Sequence, residues 1–277
     1  MLNLSFRPYG DVLVNPARLV PRAQDIAAVF APLKCIGGNN PDLCASAIRN
    51  SSYAAVLLEY NFLTFIRNSV IIAGLTVALS LILAIPAAYA VTRLEFPGRD
   101  IFSWGILLIY LFPAIVIGIP LFVFFVRIQQ ALGIELRNPY GVTIIYLAST
   151  LPLALYMLRS YFLTIPKDLE EAALIDGANR LGVIWRITIP LAIPAIATVA
   201  LYVFMIAWNE FLYALLFLID SPPSWTLPLG LQQLDGQEVP RTFLMAGSVI
   251  ITVPVIVIFF FFERFLTRGL TAGGVKG

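Results

Sequence analysis

Few residues in this sequence can do chemistry, and their positions limit what that chemistry is. Histidine is absent, which removes His-type zinc sites, Ser–His–Asp triads and histidine proton relays together. The two cysteines, Cys35 and Cys44, are too few for a metal cluster. They bracket the turn-forming stretch 36–43 and form a candidate local disulfide, with two reduced, partly buried thiols as the alternative. No Gly-x-x-x-x-Gly-Lys-[Ser/Thr] occurs, so no P-loop is available to hold ATP phosphates. Glu210 stands beside Asn209 inside an otherwise apolar run, where an ionisable side chain is a functional candidate by default. With Trp208 these two are the candidates for a substrate pathway. The alternative is that Glu210 pairs with a polar neighbour and only holds helices together. Tyr110, Trp208 and Tyr213 have rings that could stack on a sugar, but they read first as packing or interface-belt residues.

The densest polar cluster runs from Ile165 to Gly182. Pro166 suits a first helical turn, and Asp168, Glu170 and Glu171 follow where the helix dipole favours negative charge. Gly182 suits the far end. Leu169, Ala172, Ala173 and the Asp176–Gly177 pair recur at spacings of three and four, which predicts a helical face of small side chains. Such a face lets another backbone approach closely, so the helix is expected to seat in a groove of a partner. An amphipathic connector lying on the membrane is the competing reading. Its acidic start argues against that, because anionic headgroups would repel it.

Composition sets the scaffold on which these residues are held. Of 277 residues, 60% are apolar and 12% charged, with a mean hydropathy of +0.88. Soluble proteins run at about 45–50% apolar and about 25% charged, so the chain is expected to be an all-α, polytopic membrane protein. A net charge of +2 with no basic stripe excludes a nucleic-acid partner. Five runs without charge are long enough to cross about 30 Å of hydrocarbon as helices: 70–92, 101–126, 138–158, 187–209 continuing past Glu210 to 219, and 242–262. Pro86, Pro113, Pro120, Pro152, Pro194 and Pro254 lie inside them. Membrane helices tolerate interior proline, and each is expected to mark a kink.

Lys and Arg near the span ends set the orientation. One set of loops carries Arg93, Arg99, Arg159, Lys167, Arg180, Arg186, Arg264, Arg268 and Lys276; the other carries Arg127, Arg137 and Arg241. Nine against three predicts the first set, and the C-terminus, in the cytoplasm. Residues 1–65 would then be extracytoplasmic, although residues 1–20 resemble neither a signal peptide nor a span.

Glu171-Ala172-Ala173, then Gly177, then Ile187-Thr188-Ile189-Pro190 resembles the EAA signature of permease subunits of binding-protein-dependent ABC importers. The family pattern ends Ile-any-Leu-Pro; Ile189 stands where Leu is usual and keeps the apolar character. Ala207-Trp208-Asn209-Glu210-Phe211-Leu212, the terminal stretch 269–277 and Arg93-Leu94-Glu95-Phe96-Pro97-Gly98 resemble the sugar branch, and its maltose-type second permease in particular. The resemblance covers about residues 60–277.

That resemblance implies a transmembrane permease domain over residues 66–268, with a cytoplasmic EAA loop at 165–190 and a flexible cytoplasmic tail at 269–277. The membrane would be a bacterial or archaeal cytoplasmic (inner) membrane, crossed several times. The implied partners are a second homologous permease, two cytoplasmic ATPase subunits, an extracytoplasmic solute-binding protein and the lipid bilayer. ATP and Mg belong to the ATPase, and this chain binds no cofactor. Glu171, Ala172, Ala173, Asp176 and Gly177 would couple to the ATPase. The cargo would be a sugar, oligosaccharide, polyol or glycerol-phosphate, moved by alternating access. The sugar branch usually has six spans against five here. Residues 4–8 look like the segment just beyond that branch's first span, so the first helix is expected to be missing. The alternatives are an ABC permease for another solute class and a secondary transporter coupled to an ion through Glu210. A membrane enzyme or a non-transporting assembly protein fits the residues less well.

Overall fold

The computed structural model describes residues 5–6, 21, 23–27, 51–99, 101, 105, 108, 113–133 and 135–274, with side chains as far as Phe265. Cys35, Cys44, Tyr110 and residues 275–277 lie outside the described residues. The described helices are α1 (Ala23–Ala27), α2 (Ser52–Leu58), α3 (Phe62–Arg93), α4 (Ala114–Leu132), α5 (Pro139–Phe162), α6 (Lys167–Ile175), α7 (Arg180–Val183), α8 (Ile189–Asn209), α9 (Leu212–Leu218), α10 (Leu227–Gln232) and α11 (Arg241–Gly274). No strand occurs among the described residues. Five helical stretches are long and apolar enough to cross a membrane: α3, α4, α5, the run Arg180–Asn209 and Arg241–Phe265 of α11.

Several boundaries differ from the sequence reading. The second span is not 101–126; its described helix runs Ala114–Leu132, so Arg127 lies inside it. Pro113 is not an interior kink but the residue before the first turn, extended at ψ 130°. Its missing N–H costs nothing there. The far end closes on Gly133, whose φ of 65° suits glycine and whose N–H bonds the Gln129 carbonyl. Arg127 can extend its guanidinium toward the aqueous end of the helix. The fourth span does not continue through Glu210: α8 stops at Asn209, and Glu210 is extended. At the C-terminal end, helical backbone persists to Gly274, through much of the stretch expected to be a flexible tail.

The chain divides into two compact units, Met1–Val70 with Leu218–Ile256, and Ile71–Phe217 with Val257–Gly277. In the first unit, the opening turns of α3 hold the connector before α10. Asn68 donates to the carbonyls of Pro223 and Trp225 at 2.8 and 3.0 Å, and Ser69 Oγ accepts the Leu227 N–H at 2.8 Å. Gly230 and Gly247 press against Phe65 and Phe62 respectively. The α2 side of this unit buries Tyr53, whose hydroxyl lies 2.8 Å from Ser5 Oγ. Burial raises the Tyr53 pKa above the ordinary phenol value.

The second unit carries the core that matters for function. Ala84, Ala88 and Tyr89 of α3, Ala154, Leu155, Leu158 and Phe162 of α5, and Ala192, Val199 and Val203 of α8 are buried together. Lipid tails are as apolar as leucine, so this association cannot rest on expulsion from water. Alanines let the backbones approach, and dispersion and hydrogen bonding do the rest. Ser80 and Thr150 supply one such bond, hydroxyl to hydroxyl at 3.1 Å between α3 and α5.

The start of α5 is fixed by local chemistry. Asn138 is extended, and its side chain accepts the Gly141 N–H at 2.9 Å. A Cβ on Gly141 would run into the Leu136 carbonyl oxygen, a backbone atom that cannot rotate away. Gly141→Ala is therefore expected to lower the melting temperature in detergent, by about 1–3 kcal/mol of stability, and Asn138→Ala by about 1 kcal/mol. Gly74→Ala is the control, because nothing lies within 4 Å of a Cβ there; it should melt at or slightly above the wild-type temperature.

Candidate functional site

The small-residue helix exists and stands between two spans. α6 covers Lys167–Ile175, with Pro166 immediately before it and Asp168 and Glu170 in the first turn. It ends earlier than the sequence suggested. Gly177, not Gly182, closes it: Gly177 has φ 88°, and the N–H groups of Asp176, Gly177 and Ala178 bond the carbonyls of Ala172, Leu174 and Ala173 at 3.0–3.1 Å. Gly182 falls in α7, where its N–H is accepted by Asn179 Oδ1 at 2.7 Å. A π-helical turn, Ile184–Thr188, then joins α7 to α8.

The two faces of α6 differ. Glu171, Ala172, Asp176 and Gly177 are exposed together, as the periodicity predicts for one open face. Ala173 is half-buried and turns toward the chain. Large apolar side chains share the exposed region: Leu169 is 47% exposed, Ile175 86%, Leu181 67% and Trp185 69%. An apolar patch of this kind, broken by small residues, marks an interaction surface.

The inner face carries what the sequence reading missed. Glu170 is 4% exposed. Its Oε1 accepts Nε of Arg93, the last residue of α3, at 3.0 Å, and the hydroxyl of Thr188 at 3.4 Å. Nη2 of Arg93 donates to the carbonyls of Phe162 and Ile165 at 3.0 and 2.9 Å. Arg93 was legible as an orientation marker and Glu170 as a helix-start acid. The helical period offers one signal for the pair: Glu170 falls opposite the small face, so its charge must turn inward.

The second candidate group is not brought near the first. Glu210 follows the far end of α8, whose 21 residues extend about 31 Å. Its carboxylate closes the start of α9: Oε1 accepts the Tyr213 N–H at 2.9 Å and Oε2 the Ala214 N–H at 3.1 Å. The Tyr146 hydroxyl, from α5, donates to the Glu210 backbone carbonyl at 3.4 Å. Trp208 is 1% exposed and stacks on Phe204 with ring centroids 5.3 Å apart. Asn209 is exposed, and its amide donates to the Met205 carbonyl at 2.8 Å. Asn209 thus faces open space, whereas Trp208 presents no free ring face.

A protein family described as the binding-protein-dependent transport system inner membrane component matches residues 77–272. The chain is 41% identical over 219 residues to the inner membrane ABC transporter permease protein YcjP of Escherichia coli, covering 79% of this chain and 76% of that one. It is 39% identical over 273 residues to the trehalose/maltose transport system permease protein MalG of Thermococcus litoralis, covering 97% and 95%. Among solved structures, a bacterial ABC transporter involved in the import of the acidic polysaccharide alginate superposes with a TM-score of 0.71 at 24% identity, over 96% of this chain and 88% of that chain.

Because both carboxylate oxygens of Glu210 accept backbone N–H groups, Glu210→Ala is expected to cost about 1 kcal/mol of stability or more. Glu210→Gln keeps one acceptor and should cost less. Thermal unfolding of the two detergent-solubilised variants checks the order.

Proposed function

The chain belongs to the family of inner membrane components of binding-protein-dependent transport systems, and on that footing we propose that it forms half of a carbohydrate translocation pathway, driven through α6 by a separate ATPase. The observation that carries this reading is the open face of α6. Glu171, Ala172, Asp176 and Gly177 present little bulk, with Leu169, Ile175 and Leu181 exposed around them. Apolar surface standing free on a short helix between spans fits a partner's groove.

Charge supports the side on which that partner sits. Arg93, Arg159, Arg180 and Arg186 gather at the same span ends as α6, so the positive-inside rule puts the helix, and the C-terminus, in the cytoplasm. A cytoplasmic ATPase would reach it there. The other half of the pathway would be a second, homologous permease, and an extracytoplasmic binding protein would deliver the solute.

The carbohydrate class rests on the relatives. One is named for trehalose and maltose, another for sulfoquinovosyl glycerol, and the structural neighbour's import complex handles alginate. ATP would bias two packed arrangements of the spans through its differential affinity for the partner's closed and open forms. The ion-coupled alternative draws no support from Glu210, whose carboxylate already closes a helix start.

Ala172→Trp tests the reading, since Ala172 is exposed and the larger ring meets no neighbour within the fold. The variant is expected to fold and melt like the wild type. Co-purification of the ATPase and solute uptake should both fall, roughly tenfold or more for a change of about 1.4 kcal/mol in docking. A variant that retains the ATPase and transports normally would show that α6 is not the docking helix. ATPase stimulation by a panel of sugars in the reconstituted importer would identify the cargo.

A further inference from the structure

The guanidinium of Arg93 spends its donors on three different segments. Nε bonds Glu170 in the first turn of α6, and Nη2 bonds the carbonyls of Phe162, the last residue of α5, and Ile165, in the connector between α5 and α6. Arg93 is itself the final residue of α3. Thr188, the last residue of the π-helical turn, donates to the same Glu170 oxygen. The side chains of the ion pair are 5% and 6% exposed. A single planar group thus ties together the ends of two spans, the base of the exposed helix and the lead into a third span.

We propose that the Arg93–Glu170 pair is the joint that makes α6 and the adjoining ends of α3 and α5 one rigid body, so that displacement of α6 becomes displacement of those spans. This rests on the reading of α6 as the docking helix. A helix whose outer face must stay open for a partner cannot be packed on both sides. Its inner face must therefore carry the whole connection, and there it offers Glu170 with the half-buried Ala173 and Leu174. Apolar contacts alone would let α6 slide. A fork of fixed geometry, aimed at one carboxylate and two carbonyls, fixes direction as well as distance. Burial adds stiffness, because water is not at hand to replace a broken bond and either charge left alone would be stranded. A lysine could satisfy one of these acceptors as a point charge but not all three in one plane. Both members act through the helix and touch no transported solute, so they are positioning residues.

The test uses the complete importer, with permeases, ATPase and binding protein reconstituted together. Nitroxide labels replace the exposed residues Glu95 and Asp168, in a background with Cys35 and Cys44 changed to serine that still transports. Their distance is read by electron spin resonance in nucleotide-free and ATP-trapped states. A rigid joint gives superimposable distance distributions in the two states, and a shift between them overturns the proposal. The double variant R93M/E170M replaces the buried pair with apolar volume, an exchange that folds tolerate far better than the loss of one charge. It is expected to retain the ATPase, to show a state-dependent or broadened label distance, and to move roughly tenfold less solute per ATP hydrolysed. Wild-type solute per ATP in that variant would also overturn the proposal, and if the variant does not assemble, the wild-type distances decide alone. Failure of the docking reading is seen separately, as ATPase retention and normal uptake by Ala172→Trp.

Discussion

Hydrocarbon offers no hydrogen bonds, so each backbone N–H and C=O that a helix leaves unpaired at depth must be met by another part of the protein. That requirement governs where this chain is allowed to stop being a helix. Several helix ends come with their own partners. Asn138 takes an N–H at the start of α5, Gly133 returns one at the end of α4, and Gly177 turns three into the last carbonyls of α6. Arg93 covers the carbonyls of Phe162 and Ile165, and Glu210 receives the first free N–H groups of α9. The polar residues of a chain with only 12% charge are therefore concentrated at helix ends, because that is where the solvent cannot serve.

The same requirement explains why the docking helix has two unlike faces. Its outward residues are small or apolar and unsatisfied by the chain itself, which suits them to a partner. Its inward residue is a carboxylate that would be costly if it were not paired. The guanidinium that pairs with it also relieves the carbonyls at the end of α5, so one side chain answers two needs. Anchorage and helix termination are thus one piece of chemistry, and neither can be altered without the other.

How much of this was legible in the sequence depended on how local each interaction is. Four of the spans, and the existence of α6 behind Pro166, followed from runs and spacings a few residues long. Asn138 sat where a helix start was expected and closes it. The Arg93–Glu170 pair was not legible, because 77 positions separate its members and each had a sufficient local explanation. The break at Glu210 was hidden for the opposite reason: apolar residues on both sides read as one span, and backbone capping by a carboxylate leaves no periodic trace. Gly182 and Gly177 compete as stop signals only on paper; in the fold the left-handed φ belongs to Gly177. At the second span, a long apolar run concealed that helix α4 begins after Pro113.

The wide turn at Ile184–Thr188 makes chain length, and not only residue identity, a heritable property of this region. Such a turn holds one residue more than a regular helix would at the same place. Losing a single codon there would restore an ordinary helix with every backbone bond intact. Everything after it, however, would be spun about its axis by about 100°. Val199 and Val203, now in the core, would swing away from α5, and Thr188 would leave Glu170. Related genes that keep this packing should therefore tolerate many substitutions across the segment but almost no insertion or deletion.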